Sequence, residues 1–363
     1  MTPLARRIAA RIRATGPISL ADYMQICLLD SRDGYYATRD PFGRQGDFVT
    51  APEIHQLFGE ICGLALAQSW HDQGRPVPFL LAEPGPGRGT LMADMLRAIR
   101  VMPGMSDSAE IALIEASPHL RQVQSARIPQ ARHFDRVEDM PDKPLFMVAN
   151  EFIDALPIRQ FQMTAEGWRE RHVGLDAQGR LAFGLGAVLP SGPAGGANVS
   201  LPSTAPQGQV IEDCAAGAAM VEAIGRRIAT RGGAAIIIDY GGWNGSGDSF
   251  QALRDHKPDH PLAHPGEADL TAHVDFAPLA AAAIRAGAVA SRPVTQGQWL
   301  LALGAGQRAE RLAQAGDPNA MDALHRLTDP SEMGHLFKIL AIWPKGAPAV
   351  PGFQALGTDA DNA

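Results

Sequence analysis

Acids and glycines at the ends of apolar runs are the residues of this chain whose types and spacing could do chemistry. The run Leu80-Leu81-Ala82 ends at Glu83 and opens into Pro84-Gly85-Pro86-Gly87-Arg88-Gly89-Thr90. Glycines let a backbone approach a ligand closely and take positive φ. A carboxylate at the strand end repels a pyrophosphate but tolerates a cation. The spacing is Gly-x-Gly-x-Gly, not the Gly-x-Gly-x-x-Gly of dinucleotide folds. The combination favours the cationic methionine part of S-adenosylmethionine. A dinucleotide and a purely structural turn stay open as alternatives.

Further acids follow other apolar runs. Glu115 ends Ile111–Ile114, where a carboxylate can accept from both ribose hydroxyls of any adenosine-bearing ligand. The plainer alternative is an acid near a helix start. Asn150-Glu151-Phe152-Ile153-Asp154-Ala155-Leu156-Pro157 follows Leu145–Ala149. Paired acids there could orient a guanidinium bidentately and help remove its proton, or merely begin a solvated helix. In Gly46-Asp47-Phe48-Val49-Thr50-Ala51-Pro52-Glu53, Thr50 and Glu53 have the spacing of a capping box. Asp239-Tyr240-Gly241-Gly242 follows a buried run, and His273 and Asp275 lie near another helix start. That pair could serve a metal or act as a base, but capping is the commoner use, and no zinc-site spacing accompanies it.

These residues need elements to position them. Leu4, Ile8 and Ile12 put a helix over 2–14, with Gly16-Pro17 stopping it and Ser19 capping the next. A helix is expected from Pro52 to Trp70. Strands are expected at Phe79–Leu81, Ile111–Ile114, Leu145–Ala149, Ala235–Asp239 and Phe337–Trp343. Between them the pattern predicts helices over Thr90–Val101, from Ser117-Pro118 to Ala126, over Ile211–Thr230 and over 275–286, with more at 296–327. Phe161–Met163, Trp168–Val173 and Leu181–Phe183 read as an antiparallel meander, 184–208 as a loop, and the tail after Pro348 as frayed. Alternating strands and helices imply a mostly parallel sheet covered on both faces. Glu83, Glu115, Asn150-Glu151 and Asp239 then converge on one rim, where such sheets bind ligands.

Bulk properties set limits. The chain has 363 residues, is 45% hydrophobic and 20% charged, and carries a formal charge of -7. This is the composition of a globular protein able to bury a core without staples. The acidic balance argues against a nucleic-acid partner and suits a basic one. Cys27, Cys62 and Cys214 are scattered and odd in number, as expected of reduced thiols. No apolar run reaches the roughly 18 residues of a membrane span. Arg6, Arg7, Arg11 and Arg13 alternate with apolar residues, which fits a presequence or a surface helix with a basic outer face; the second is preferred.

Taken together and in order, the strings at 46–53, 83–90, 150–157 and 269–276 resemble the MidA family, which includes the mitochondrial complex I assembly-factor arginine methyltransferase and bacterial relatives. Gly34-Tyr35-Tyr36, Trp168-Arg169-Glu170 and Asp255-His256-Lys257 fit as well, and the likeness runs from about residue 4 to about 345. The resemblance implies an α/β fold, a seven-stranded class I (Rossmann-like) methyltransferase using S-adenosyl-L-methionine. It implies symmetric ω-N dimethylation of an arginine on a protein substrate, the NADH dehydrogenase subunit corresponding to the mitochondrial 49-kDa subunit of complex I. It assigns donor binding to Glu83, Gly85, Gly87, Gly89, Glu115, Asp47 and Thr50. Catalysis falls to Asn150, Glu151 and Asp154, and substrate binding to Glu53, Asp239 and His273, with no metal. Pro84 departs from a common Leu.

The expected organisation is a helical N-terminal cap (1–75), a core (76–157 and 209–347), an inserted β cap (158–208) and a flexible tail (348–363). Because the likeness begins close to Met1, the expected location is a bacterial cytoplasm. The alternatives are a non-catalytic assembly chaperone that binds the donor, and a small-molecule methyltransferase with a closed apolar pocket in the cap.

Overall fold

The computed structural model describes residues 1–38, 50–193, 199–245 and 247–356. The chain forms two compact units, Met1–Phe48 with Asp154–Ala219 and Asn244–His273, and Val49–Ile153 with Met220–Trp243 and Val274–Ala363. The N-terminal residues and the meander therefore share one unit. The expected 1–75 cap is corrected, because the helix after residue 55 belongs to the other.

In the first unit the arginine-rich N-terminus is a packed helix, Pro3–Thr15, capped by Thr2. Leu4, Ile8 and Ile12 are buried, while Arg6, Arg7, Arg11 and Arg13 face solvent. Ser19 caps Leu20–Leu29 by accepting the Asp22 N–H. The meander is formed by Arg159–Thr164, Gly167–Leu175 and Leu181–Leu189, all antiparallel. Its third strand runs into the stretch expected as loop, of which residues 194–198 lie outside the described residues.

Val210–Asp213 is a strand paired with Arg159–Gln162, not the start of a helix. Gly208 turns the chain at φ 88 and donates to Met163 O, which lays β-branched Val210 and Ile211 along the meander edge. This unit contains a cavity of about 420 Å³ lined by Gln162, Arg171 and Asp248 as well as Phe183, Leu185 and Phe250. Its lining is mixed, polar and apolar.

The second unit is built on a nine-stranded sheet. Its main strands are β1 (Phe79–Pro84), β2 (Ala109–Ile114), β3 (Arg132–Phe134), β4 (Leu145–Asn150), β5 (Gly233–Gly242), β6 (Val289–Ala290) and β7 (Phe337–Trp343). They lie in the order β3-β2-β1-β4-β5-β7-β6. β1 to β5 are parallel, and β7 is antiparallel to β5 and β6. Val274–Asp275 adds to β5 and Val294–Thr295 to β7. β4 and β5 read as near-continuous apolar runs because strands covered on both faces need apolar residues at every position.

Helices α1 (Gln56–Asp72), α2 (Thr90–Ala98), α3 (Pro118–Arg127), α4 (Ala215–Arg231) and α5 (Phe276–Arg285) accompany the strands, most of α4 falling within this unit. The helix expected from Pro52 to Trp70 breaks at His55, whose extended backbone separates Ala51–Ile54 from α1. His55 Nδ1 accepts the Leu57 N–H, and Nε2 lies 2.9 Å from Asp317 Oδ2. Twelve of the 17 residues of α1 are buried, so it is enclosed on most sides rather than capping a surface. The tail is not frayed up to Leu356. Val350 and Phe353 are buried, and Pro351 O accepts the Trp299 indole N–H.

Two glycines one turn apart let α1 and α2 touch. A methyl group at Gly59 would lie 2.6 Å from Asp94 Cβ, and one at Gly63 would lie 2.9 Å from Met95 Cα. Gly63→Leu should therefore force the helices apart and lower stability by about 1–3 kcal/mol, the usual cost of overpacking. A urea midpoint equal to that of the parent would refute this packing.

Candidate active site

In a parallel sheet the ligand crevice opens at the C-terminal strand ends, where the strand order reverses. Here the reversal falls between β1 and β4. β1 ends at Glu83-Pro84, and the turn begins with Gly85 N donating to Ile114 O at 2.9 Å. Gly85, Gly87 and Gly89 take φ of 62, 51 and 75. A side chain at Gly85 would also strike the chain itself, since its Cβ would lie 2.5 Å from the Phe152 ring. The turn closes when Gly89 N donates to Pro86 O and α2 begins at Thr90.

Glu83 is 3% exposed. Burial pushes its carboxyl up to about 8, Asp94 and Glu115 push it the same way, and the Met92 backbone N–H pulls against them. Its Oε2 has no hydrogen-bond partner among the described residues. A buried carboxylate oxygen without a donor is costly unless a proton or a cation meets it. That unmet acceptor fits a cationic ligand.

Glu115 follows β2 and is 8% exposed. Its Oε1 accepts the Ser117 N–H at 2.7 Å, and its Oε2 accepts Gln124 Nε2 at 3.1 Å. Burial raises its carboxyl as well. Ser117 caps α3 with Pro118 in the first turn, as expected.

At the tip of β4, Glu151 has φ 49, a left-handed conformation unusual for a non-glycine residue and of the kind that strains a backbone at functional sites. Its N–H donates to Ile238 O. Its Oε1 accepts from Ala51 N at 3.3 Å and from Asn150 Nδ2 at 3.1 Å. Asn150 is buried, and its Oδ1 takes no hydrogen bond from the described residues.

Several expectations change. Asp239 is fully buried, with Oδ2 accepting Ile153 N at 3.0 Å and Oδ1 accepting Tyr240 N at 3.0 Å. It anchors the loop after β4 through these two bonds. Thr50 precedes Ala51–Ile54 without a side-chain cap, so the capping box does not form. Glu53 instead accepts the Thr90 hydroxyl at 2.6 Å, and Arg127 also bonds Thr90. Asp47 lies outside the described residues.

Asp154 and His273 belong to the first unit. There Asp154 is buried and its carbonyl accepts the Ala272 N–H, while Asp269 accepts the Tyr36 hydroxyl at 3.0 Å. Burial, with the charges of Asp269 and Asp154, raises the Tyr36 hydroxyl. His273 is exposed, its backbone N–H donating to Ser249 Oγ. Asp275 caps α5. The expected site residues in the second unit are thus Thr50, Glu53, Glu83, the three glycines, Glu115, Asn150, Glu151 and Asp239.

Phe152 and Gln124 escaped the reading of the residues. A large aromatic between two acids and a polar residue one turn after Leu120 on the inner face of α3 were the available signals.

Residues 61–294 match the model of a family described as S-adenosyl-L-methionine-dependent methyltransferase. The chain is 35% identical over 373 residues to the mitochondrial protein arginine methyltransferase NDUFAF7 homolog of Drosophila melanogaster, covering 94% of this chain and 85% of that protein. It is 34% identical over 378 residues to the mitochondrial protein arginine methyltransferase NDUFAF7 of Homo sapiens, with 95% and 84% covered. A crystal structure from Burkholderia thailandensis, bound to S-adenosyl-homocysteine, superposes with a TM-score of 0.80 at 27% identity, covering 97% of this chain and 95% of that one.

S-adenosyl-L-methionine is the cofactor these findings support, and Glu83, if placed against it, would give its binding a pH signature. The folded-state value of about 8 lies above the ordinary 4.5. Without ligand, the stability contributed by this protonated group is complete below pH 4.5 and is lost as pH rises through 8. A cation binding against the carboxylate must displace the proton. Donor binding at pH 7 should therefore release up to one proton, and affinity should climb with pH until about 8. Calorimetry in buffers of different ionisation enthalpy measures the release. Glu83→Gln should abolish it, and equal release from that variant would exclude Glu83 as the source.

Proposed function

Because this chain belongs to the S-adenosyl-L-methionine-dependent methyltransferase family, we infer that it methylates an arginine side chain of another protein. The finer reading is symmetric ω-N dimethylation of a complex I subunit, the NADH dehydrogenase subunit corresponding to the mitochondrial 49-kDa subunit, in support of its assembly. The names of the relatives support the arginine, and the family resemblance supports the subunit. The strand order β3-β2-β1-β4-β5-β7-β6, with only β7 running against the other strands, supports a seven-stranded class I arrangement to which two short strands are added.

The observation that carries the reading is the pair Asn150 and Glu151 at the β4 tip, beside the β1 glycine turn. A guanidinium presents a planar fork of N–H donors and needs acceptors held in place. Glu151 is held before substrate arrives by the Ala51 N–H and the Asn150 amide. Asn150 Oδ1 is a buried acceptor with unused capacity.

The bound donor supplies an electrophilic methyl group on a sulfonium centre. Glu83 would face its cationic part and Glu115 its ribose, while the glycine turn lets the backbone close in. Glu151 and Asn150 would orient the guanidinium, so that one nitrogen is directed at the methyl group. Alignment of this kind supplies about 7–11 kcal/mol toward a transfer barrier. The Glu151 carboxylate is also the group of the right type to take the proton that the methylated nitrogen gives up.

The test is transfer of labelled methyl groups to complex I subunits, located by mass spectrometry. Glu151→Gln should lower turnover about a hundredfold, the scale of losing one transition-state contact, with donor affinity within about twofold. Full activity in Glu151→Gln would remove that residue from the role. Donor binding with no labelled arginine on any subunit would favour a non-catalytic assembly chaperone instead.

A further inference from the structure

The turn after β1 and the acid after β2 are tied together by a side chain on neither strand. Gln124, in α3, is fully buried. Its Nε2 donates to Gly87 O at 2.7 Å and to Glu115 Oε2 at 3.1 Å. Its Oε1 lies 2.9 Å from His133 Nε2. The network leaves one orientation for the amide, since both acceptors meet its nitrogen and the imidazole meets its oxygen. His133 fits the donor role as a neutral ring, because burial and the nearby Arg121 hold its basicity below the usual value.

With Ser117 N on Oε1 and Gln124 Nε2 on Oε2, each oxygen of the Glu115 carboxylate meets a donor, and the Ala116 N–H faces the group as well, which fixes its rotation about the terminal bond. A carboxylate has about four acceptor sites, so these donors leave it capacity for a ligand hydroxyl. A pair of vicinal hydroxyls can use both oxygens only if the carboxylate plane is held.

We propose that Gln124 is a positioning residue that locks Glu115 and the Gly87 carbonyl together, and thereby sets the enzyme's requirement for both ribose hydroxyls of its methyl donor. It acts through Glu115 and touches no reacting atom. The inference rests on the placement of Glu115 against the ribose, and its test separates the two. Removing the amide leaves the Gly87 carbonyl without its buried donor and frees the carboxylate to turn. Binding of the intact ribose then suffers more than binding of a ligand that never used the missing hydroxyl.

The measurement is calorimetric binding of S-adenosyl-homocysteine and its 2′-deoxyribose analogue to the full chain. Gln124→Met keeps an unbranched side chain of similar volume and deletes the hydrogen bonds. It should weaken S-adenosyl-homocysteine about tenfold, the usual scale for a lost buried hydrogen bond, while the analogue changes less than about threefold, so the preference for ribose collapses. A purely structural role moves both ligands equally, and an unchanged preference overturns the proposal whether or not the affinities fall. Should Gln124→Met fail to fold, His133→Phe removes only the group that orients the amide. A weaker preference of the same sign supports the proposal, and an unchanged one overturns it. Glu115→Gln is the control. If it keeps the parent preference, Glu115 does not read the ribose and the proposal falls with that placement. If it loses the preference while Gln124→Met keeps it, the placement stands and the role of Gln124 alone is refuted.

Discussion

A carboxyl group held out of water at the end of a central strand is the constraint around which the second unit is arranged. Glu83 sits on β1, flanked by β2 and β4, with one oxygen that meets no donor among the described residues. An apolar residue would be cheaper there for folding alone, because desolvating an acid without a partner is unfavourable. The unmet acceptor fits a ligand that brings a positive charge. The parallel strands do the rest. Each crossover returns the chain in the same direction, so the acids that end β1, β2 and β4 open onto one rim.

The reversal of strand order between β1 and β4 explains why the loops there are so firmly tied. Phe152 packs against Gly85, Asp239 holds the Ile153 N–H, and the Glu151 carboxylate takes the Ala51 N–H. These groups hold backbone in place. The left-handed backbone of Glu151 is affordable only because such neighbours over-determine it. Polar groups at the rim thus divide into those consumed by the chain and those left with an open acceptor, Glu83 Oε2 and Asn150 Oδ1 among them.

Beneath the rim, α1 makes the arrangement stiff. Its glycines bring it against α2, and Glu60, 5% exposed, receives both Arg97 and Arg308. Only the Glu60 side of these pairs is buried, so losing the arginines would leave a desolvated carboxylate, whereas the arginines themselves stay solvated. The helix Ala305–Gln314, which carries Arg308, is thereby fastened to the helix whose neighbour α2 follows the glycine turn.

Much of this architecture was legible in the residues. The strand Phe337–Trp343, the Ser117 cap of α3 and the acids at the strand tips follow from local periodicity and capping, which depend on neighbours a few residues away. Such properties are determined by the chain itself. The break at His55, the strand Val210–Asp213 and the packed tail were not legible, because each depends on a distant partner: Asp317, the meander edge and Trp299. The same holds for roles at the site. Sequence placed Glu151 and Asp154 as paired catalytic acids and Asp239 and His273 as substrate-binding residues, all of them polar residues near element ends. Only the tertiary structure decided that Asp239 is an internal anchor, that Phe152, next to Glu151, packs on Gly85 of the glycine turn, and that Asp154 and His273 belong to the other unit. The reason is physical: a hydrogen bond between residues 86 apart in the chain leaves no trace in either residue's local pattern.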